Sequence, residues 1–229
     1  MTTVYRSTAL LLLIAGSLMS QGPINTIPSW DGSAFIASFG VPNTATYGQT
    51  ISIAPGTAAI ASFGFEIGHC TGSVSFRGEV YAWDGAKATG TALFESSPVT
   101  VVTASSSYQL VVFSTPGLTL PPGNYVLFAT TSRDQAGASA AGCQWASVAD
   151  TAYPGGYHVY RNNGTNVAQW TSGTWPTLPL DLAFQLNLVS PVNPQATGVP
   201  AASPSTLLLG FAGVTALGLL GLSRLRIAR

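Results

Sequence analysis

The sequence predicts an all-β protein folded as an antiparallel β-sandwich. Between the two ends of the chain, short segments alternate apolar and polar residues, and turn dipeptides separate these segments. Only 7% of the 229 residues are charged while 25 are glycine, a composition that favours strands and turns over helices. Because no helical pattern lies between the strands, a jelly roll is the first expected topology and an immunoglobulin-like sandwich the second.

The strands are predicted to follow a proline-containing lead-in at residues 21–30. Strong turn residues bound them, such as Asp84 and Gly85 after the third strand. The last strand places its large apolar side chains on one face and Asp181 on the other, so that face is expected to be wet or paired with polar neighbours. In chain order the predicted strands are residues 46–53, 60–67, 74–83, 93–95, 99–102, 108–114, 125–131, 157–161 and 180–189.

The first twenty residues, 1–20, have the pattern of a secretory signal peptide. Arg6 precedes an apolar block that ends in small residues, which is the order that export signals share. Cleavage is expected after Ser17 or Ser20, and an uncleaved signal anchor is the alternative. In both cases the central sandwich domain, residues 31–190, is predicted to be exported.

A second apolar segment lies near the C-terminus, after a linker at residues 191–203 that is rich in Ala, Pro, Ser and Thr. Residues 207–222 would rise about 24 Å as a helix, and flanking hydroxyl residues extend it toward the thickness of a bilayer. Arginines follow it, as expected on the cytoplasmic side of a membrane. The sequence therefore predicts a transmembrane helix within residues 204–229.

Prolines before this helix and arginines after it complete the pattern: Val199, Pro200, Pro204, Ser205, Thr206, Arg224, Arg226 and Arg229. With these residues the tail resembles a bacterial PEP-CTERM sorting signal, although Ser203 stands where an acidic residue is expected. The resemblance implies processing by an exosortase, a membrane-embedded transpeptidase-like enzyme that removes the helix and passes the protein to the envelope. Short patterns at residues 47–50, 81–85 and 181–184 also resemble the β-sandwich ectodomains found upstream of such tails.

The charges are unevenly distributed along the chain. All eight acidic residues lie between the terminal segments, where only four basic residues oppose them, so the predicted exported part has a formal charge of −4. Nucleic-acid binding needs clustered Lys and Arg. Nucleic acid is therefore excluded as a partner.

Cys70 and Cys143 are the two cysteines of the chain. Export to an oxidising compartment favours a disulfide between them, and a closed loop of about seventy residues stabilises the fold by about 4 kcal/mol in the chain-entropy model. A metal site formed by His69, Cys70 and His158 is the alternative, but adjacent residues of a strand point to opposite faces. The sequence predicts a disulfide, with no metal and no cofactor.

Six aromatic residues crowd into the region before the last strand: Trp145, Tyr153, Tyr157, Tyr160, Trp170 and Trp175. Aromatic faces beside amides are typical of sugar-binding surfaces, and an exposed patch of this kind is an interaction surface. Trp170, Trp175 and Tyr157 are the candidate glycan-binding residues. The alternative is that these rings pack in the core and close one end of the sandwich.

No phosphate loop, nucleophile elbow or HExxH motif is present, and we predict no catalytic residues. Glu66, Glu79 and Asp84 lie near one another in the predicted strands, so a glycosidase pair about 5–10 Å apart is one interpretation, and solvated surface residues are the other. The sequence predicts an exported, non-catalytic cell-envelope or extracellular-matrix protein of structural or adhesive type. Its expected partners are an exosortase, the membrane and extracellular polysaccharide; a carbohydrate-binding module is the first alternative and a glycan-active hydrolase the second.

Overall fold

A computed structural model describes residues 21–56, 58–103 and 107–189 of the chain. The predicted signal peptide, the linker, the sorting residues and the C-terminal apolar segment lie outside these ranges. Within the described ranges, no helix is long and apolar enough to cross a membrane.

The described residues form thirteen strands, a single-turn helix and one 3-10 turn at Ile27–Ser29. The helix, α1, spans Gln169–Ser172. In chain order the strands are β1 (Ile24–Asn25), β2 (Phe35–Phe39), β3 (Thr46–Ile53), β4 (Ala58–Gly68), β5 (Gly72–Trp83), β6 (Ala88–Glu95), β7 (Val99–Thr103), β8 (Tyr108–Leu120), β9 (Gly123–Thr130), β10 (Cys143–Ala149), β11 (His158–Arg161), β12 (Leu180–Leu182) and β13 (Phe184–Val189).

These strands form two sheets. The seven-stranded sheet has the order β1-β13-β4-β10-β12, with β2 beside β10 and β8 beside β4. The six-stranded sheet has the order β11-β3-β9-β5-β6, with β7 beside β5. The pairings between these strands are antiparallel. The predicted all-β class and the β-sandwich are thereby confirmed.

The main core is filled by alternate residues of the long strands. Phe63 and Phe65 of β4, together with Phe76 and Val80 of β5, are fully buried and point between the sheets. Trp145 of β10 packs against them, with its ring 4.8 Å from that of Phe65. Burial of each apolar side chain of this size contributes about 1.5–3 kcal/mol.

A second cluster covers the outer face of the six-stranded sheet. Tyr81, Trp83 and Phe128 alternate with the core residues of their strands and therefore point to the other face of the sheet, where they belong to a separate buried cluster. Trp170 of α1 and Trp175 pack on top of them. The chain itself therefore adds a third layer on this side of the sandwich.

Three strands of the structure were not predicted, namely β1, β2 and β10. Strand β10 was not predicted, because Trp145 faces the main core while Ala146 and Val148 enter a cluster on the outer side, so its sequence shows no alternation. Strand β1 lies inside the predicted lead-in and pairs with β13.

The predicted last strand is divided at Ala183. The first part, β12, pairs with β10 and the second part, β13, pairs with β4. Asp181, on the predicted polar face, is fully buried. The Gln49 amide donates to its Oδ1 at 2.7 Å, and the Tyr153 backbone N–H donates to its Oδ2 at 2.9 Å. The polar face is therefore paired at Asp181, whereas Gln185 and Asn187 further along it are half-exposed.

Candidate functional site

Cys70 and Cys143 form the predicted disulfide, which joins positions 73 residues apart in the chain. His69 does not share a strand with Cys70, because β4 ends at Gly68 and His69 has a positive φ of 46°. Both cysteines are buried and are bonded to each other. Among the residues that the structure describes, no group of three or more His, Cys, Asp and Glu could hold a metal ion.

His158 is a fully buried residue of β11 whose two ring nitrogens lack hydrogen-bond partners among the described residues. Its ring stacks on that of Tyr160 at 5.8 Å, and the Tyr47 ring lies edge-on at 5.5 Å. Burial lowers the pKa of His158 to about 3, because the charged imidazolium is poorly solvated there. His158 is therefore a neutral packing residue at physiological pH.

Trp170 and Trp175 lie inside the second cluster. Trp170 is 1% exposed, its ring is 5.2 Å from that of Phe128, and its Nε1 donates to Thr46 Oγ1 at 3.2 Å. Trp175 is 2% exposed, and its Nε1 donates to the Trp170 carbonyl oxygen at 2.8 Å. A sugar can stack only on an accessible ring face. The prediction that these two tryptophans bind glycan is therefore wrong, and they close the outer face of the six-stranded sheet.

Tyr157 is half-buried beside the same cluster. Its hydroxyl accepts a hydrogen bond from Trp83 Nε1 at 3.2 Å and donates one to the Gly85 carbonyl oxygen at 3.1 Å. The hydroxyl is thus engaged within the fold. Tyr157 anchors the turn after β5 and does not belong to an aromatic platform with the two tryptophans.

Five charged residues form a cluster at one border of this covered face. Arg77 binds Asp134 through two hydrogen bonds, Nε to Oδ2 at 2.7 Å and Nη2 to Oδ1 at 2.5 Å, and also contacts Glu95. Arg133 lies 3.3 Å from Glu95 and 3.6 Å from Glu79. With Glu79 protonated the cluster is electrically neutral, and with Glu79 ionised it carries one excess negative charge.

Glu79 is the unusual member of the charged cluster. It is fully buried, and neither carboxylate oxygen has a hydrogen-bond partner among the described residues. Burial raises the pKa of Glu79 to about 7, and the Arg133 charge opposes that rise. Arg133 also lies over the Trp170 ring, 5.3 Å from its centroid. The buried position of this carboxyl group denies it direct contact with a substrate.

The three carboxylates considered for a glycosidase do not share a cleft. Glu66 lies on the outer face of the seven-stranded sheet, whereas Glu79 lies under the outer cluster of the six-stranded sheet. Asp84 accepts hydrogen bonds from the backbone N–H groups of Ala86 and Lys87, both at 2.8 Å, which lower its pKa. Asp84 therefore stabilises the turn after β5.

The outer face of the seven-stranded sheet carries amides and hydroxyls. Residues directly opposite in register share a face, so Gln185 lies beside Gly64, and Asn187 lies beside Ser62. The side chains of Ser62, Gln185 and Asn187 are half-exposed. We call this surface the amide face, and its residues are Asn25, Ser62, Gln144, Gln185 and Asn187.

Two hydrogen bonds orient the amides of this face. Asn187 Nδ2 donates to Ser62 Oγ at 2.9 Å, and the Tyr108 hydroxyl donates to Gln144 Oε1 at 2.8 Å. These bonds leave the amide nitrogen of Gln144 as a donor and the amide oxygen of Asn187 as an acceptor for other groups.

An aromatic pair lies at one end of the amide face. The half-exposed rings of Trp30 and Tyr108 meet edge to face, with centroids 4.7 Å apart, and the His69 ring lies 5.0 Å from that of Tyr108. Trp30 Nε1 donates to the Ala34 carbonyl oxygen at 2.7 Å, which fixes the indole. Sequence reasoning missed this site. The outward positions of the predicted strands at 108–114 and 180–189 were the signal that could have found it.

An apolar groove of about 490 Å³ opens between the edge strands β6 and β8. Leu93 and Phe94 line one side, and Leu118 and Leu120 line the other. The Tyr125 hydroxyl in its wall donates to a backbone carbonyl oxygen at 2.8 Å. This lining suits an apolar group better than a sugar.

No protein-family model, curated protein or solved structure matches the chain.

Proposed function

We propose that the chain is an exported cell-envelope or extracellular-matrix protein of structural or adhesive type. The observation that carries this proposal is the buried disulfide between Cys70 and Cys143, because such bonds persist in exported proteins and are rare in the cytosol. The predicted signal peptide at 1–20 and the sorting tail at 204–229 support the same destination.

We further propose a jelly-roll topology for the sandwich. The order β1-β13-β4-β8 in one sheet and β3-β9-β5-β6 in the other supports it. Consecutive strands from β3 to β5, and again from β7 to β10, lie in alternate sheets, as two Greek keys require. In an immunoglobulin-like sandwich more of the consecutive strands pair within one sheet.

Adhesion is assigned to the amide face, with neutral polysaccharide as the partner. Stacking by Trp30 or Tyr108 would supply apolar contact. The Gln144 amide nitrogen and the Asn187 amide oxygen would form hydrogen bonds with sugar hydroxyls. The pairing of Arg77 and Arg133 with carboxylates favours a neutral glycan over a strongly anionic one. A carbohydrate-binding module remains the second candidate function, and it would use this same face.

Binding to a glycan array and to immobilised neutral polysaccharides tests the assignment. The full-length chain, purified in a mild detergent, should bind at least one neutral glycan. Trp30→Ala should weaken that binding about two- to tenfold, since one aromatic contact contributes about 0.5–1.5 kcal/mol. Tyr157→Phe is the matched control and should leave binding unchanged. Equal binding by the Trp30→Ala variant would remove the amide face from the proposal.

Sorting through the tail requires a separate test. Replacing Arg224, Arg226 and Arg229 by Ser should abolish normal processing or retention. The C-terminus would then lack the positive charges that keep it on the cytoplasmic side of the membrane. Fractionation and surface labelling measure the outcome. Unchanged surface display of that variant would contradict the exosortase assignment.

A further inference from the structure

Among the described strands, β8 forms a long edge of the seven-stranded sheet. It pairs with β4 along one side, from Tyr108 to Leu120, and no other described strand pairs with it. Its first seven residues are Tyr-Gln-Leu-Val-Val-Phe-Ser, without a charge or a proline. Leu110 is 38% exposed and Val112 is 44% exposed, both on the outer face of the sheet. An edge of this kind is a template for pairing with another strand.

The other edges of the described sheets are shorter or protected. Strands β1 and β12 contain two and three residues. Strand β6 carries Glu95, and a register shift interrupts its pairing with β5. The outer side of β11 is closed by a bridge between Val159 and Thr177. In β8 the protective Pro116 lies beyond the first seven residues. The uncharged half of β8 is therefore the least protected long edge of the described domain.

We propose that this edge pairs with the β8 edge of a second copy of the chain. In an antiparallel arrangement with two-fold symmetry about Val111, Leu110 lies opposite Val112 of the second copy, and Val112 lies opposite its Leu110. Apolar residues then meet apolar residues on one face, and neither of the two paired β8 segments carries a charge. The strand is self-complementary in this register, as an isologous interface requires.

The choice of a second copy over a foreign peptide follows from this symmetry. A foreign strand would need its own apolar residues in matching positions, whereas a second copy supplies them by rotation. The two seven-stranded sheets would continue into one another and place two amide faces side by side. The pairing does not depend on glycan binding, so either proposal can fail without the other.

Charge substitutions at the two exposed positions test the register. The full-length chain in a mild detergent should sediment as a dimer at micromolar concentration. Leu110→Lys with Val112→Lys places like charges opposite each other twice and should raise the dissociation constant at least about tenfold. In the variant Leu110→Lys with Val112→Glu, each lysine faces a glutamate of the second copy, and the dimer should be restored. Val102→Lys, at a position that is 70% exposed on β7, should leave association unchanged.

Sedimentation velocity measures association, and circular dichroism with thermal melting confirms that each variant is folded. A wild-type chain that stays monomeric at tens of micromolar would overturn the proposal. So would a dimer that tolerates the double lysine variant, because it would use another surface. A monomer that copurifies with a peptide cross-linked to β8 would assign the edge to a different partner and also overturn self-pairing.

Discussion

Replacing the buried Glu79 by glutamine should stabilise the protein at alkaline pH and leave its stability nearly unchanged in acid. Glutamine has the shape of the protonated carboxyl group and cannot ionise. The native carboxyl group has no hydrogen-bond partner among the described residues, and Arg133 is 3.6 Å away. Glu79→Gln therefore removes the cost of holding a poorly solvated charge.

The magnitude follows from the pKa of Glu79, which burial raises from 4.5 to about 7. At about 1.4 kcal/mol per pH unit, this change corresponds to about 3 kcal/mol. The folded state binds the proton more tightly than the unfolded state. Its stabilisation is thus fully present below pH 4.5 and is lost as the pH rises through about 7. The gain from Glu79→Gln should be near zero at pH 4.5 and about 3 kcal/mol at pH 8.5.

Urea unfolding at pH 4.5, 6, 7 and 8.5 measures this difference between variant and wild type. The comparison at each pH is needed because His158 acts in the opposite direction. Burial lowers its pKa to about 3, so the wild type also loses stability as the pH falls below 6.5. The two trends offset each other in the wild type, and subtraction isolates Glu79. Asp150→Asn, which removes an exposed carboxylate, is the control.

A gain that stays constant across this pH range would refute the reasoning, because Glu79 would then have an ordinary pKa. Lower stability of Glu79→Gln at pH 8.5 would show that the ion pair with Arg133 outweighs the cost of burial. Equal m values for variant and wild type are required for either conclusion.

Three further predictions concern stability. Replacing Cys70 and Cys143 by alanine should lower the free energy of unfolding by about 4 kcal/mol, the chain-entropy value for a loop of this length, as measured by urea unfolding under oxidising conditions. Trp170→Ala should cost about 3–5 kcal/mol in the same assay, whereas Trp30→Ala at a half-exposed ring should cost less. The wild type should lose up to about 5 kcal/mol of its free energy of unfolding between pH 6.5 and pH 3, and His158→Phe should abolish this loss. If the variant lost stability in acid as the wild type does, burial of His158 would not be the cause.

Most of the long strands could be predicted from the sequence, including β3 and β9, which are buried on both faces, but β10 could not. Strand β4 shows Phe63, Phe65 and Ile67 at alternate positions, because the intervening residues face outward. Strand β10 gives no such alternation, since successive residues from Trp145 enter buried clusters on opposite sides. Alternation weakens where a second layer covers the outer face, and β9 could still be predicted because its aromatic and β-branched residues favour a strand.

The candidate glycan-binding site was misplaced because the burial of its tryptophans depends on residues distant in the chain. Trp170 and Trp175 lie among Gly, Thr and Pro, a composition that indicates a loop and suggests exposure. Their burial depends on Phe128, more than forty positions earlier in the chain, to which the local sequence gives no clue. Trp30 and Tyr108 approach each other only because separate segments meet on the seven-stranded sheet. Contacts between distant segments decide which aromatic residues are accessible.

The two outer faces of the sandwich therefore have different roles. The outer face of the six-stranded sheet is occupied by internal packing, with Glu79 beside Phe128 and Arg133 over the Trp170 ring. A ligand could reach that face only by displacing buried tryptophans, at a cost of several kcal/mol each. The amide face needs no such rearrangement, because its side chains are already accessible and oriented by Ser62 and Tyr108. The proposed binding of a neutral glycan is thus expected on the seven-stranded sheet, next to the exposed half of β8.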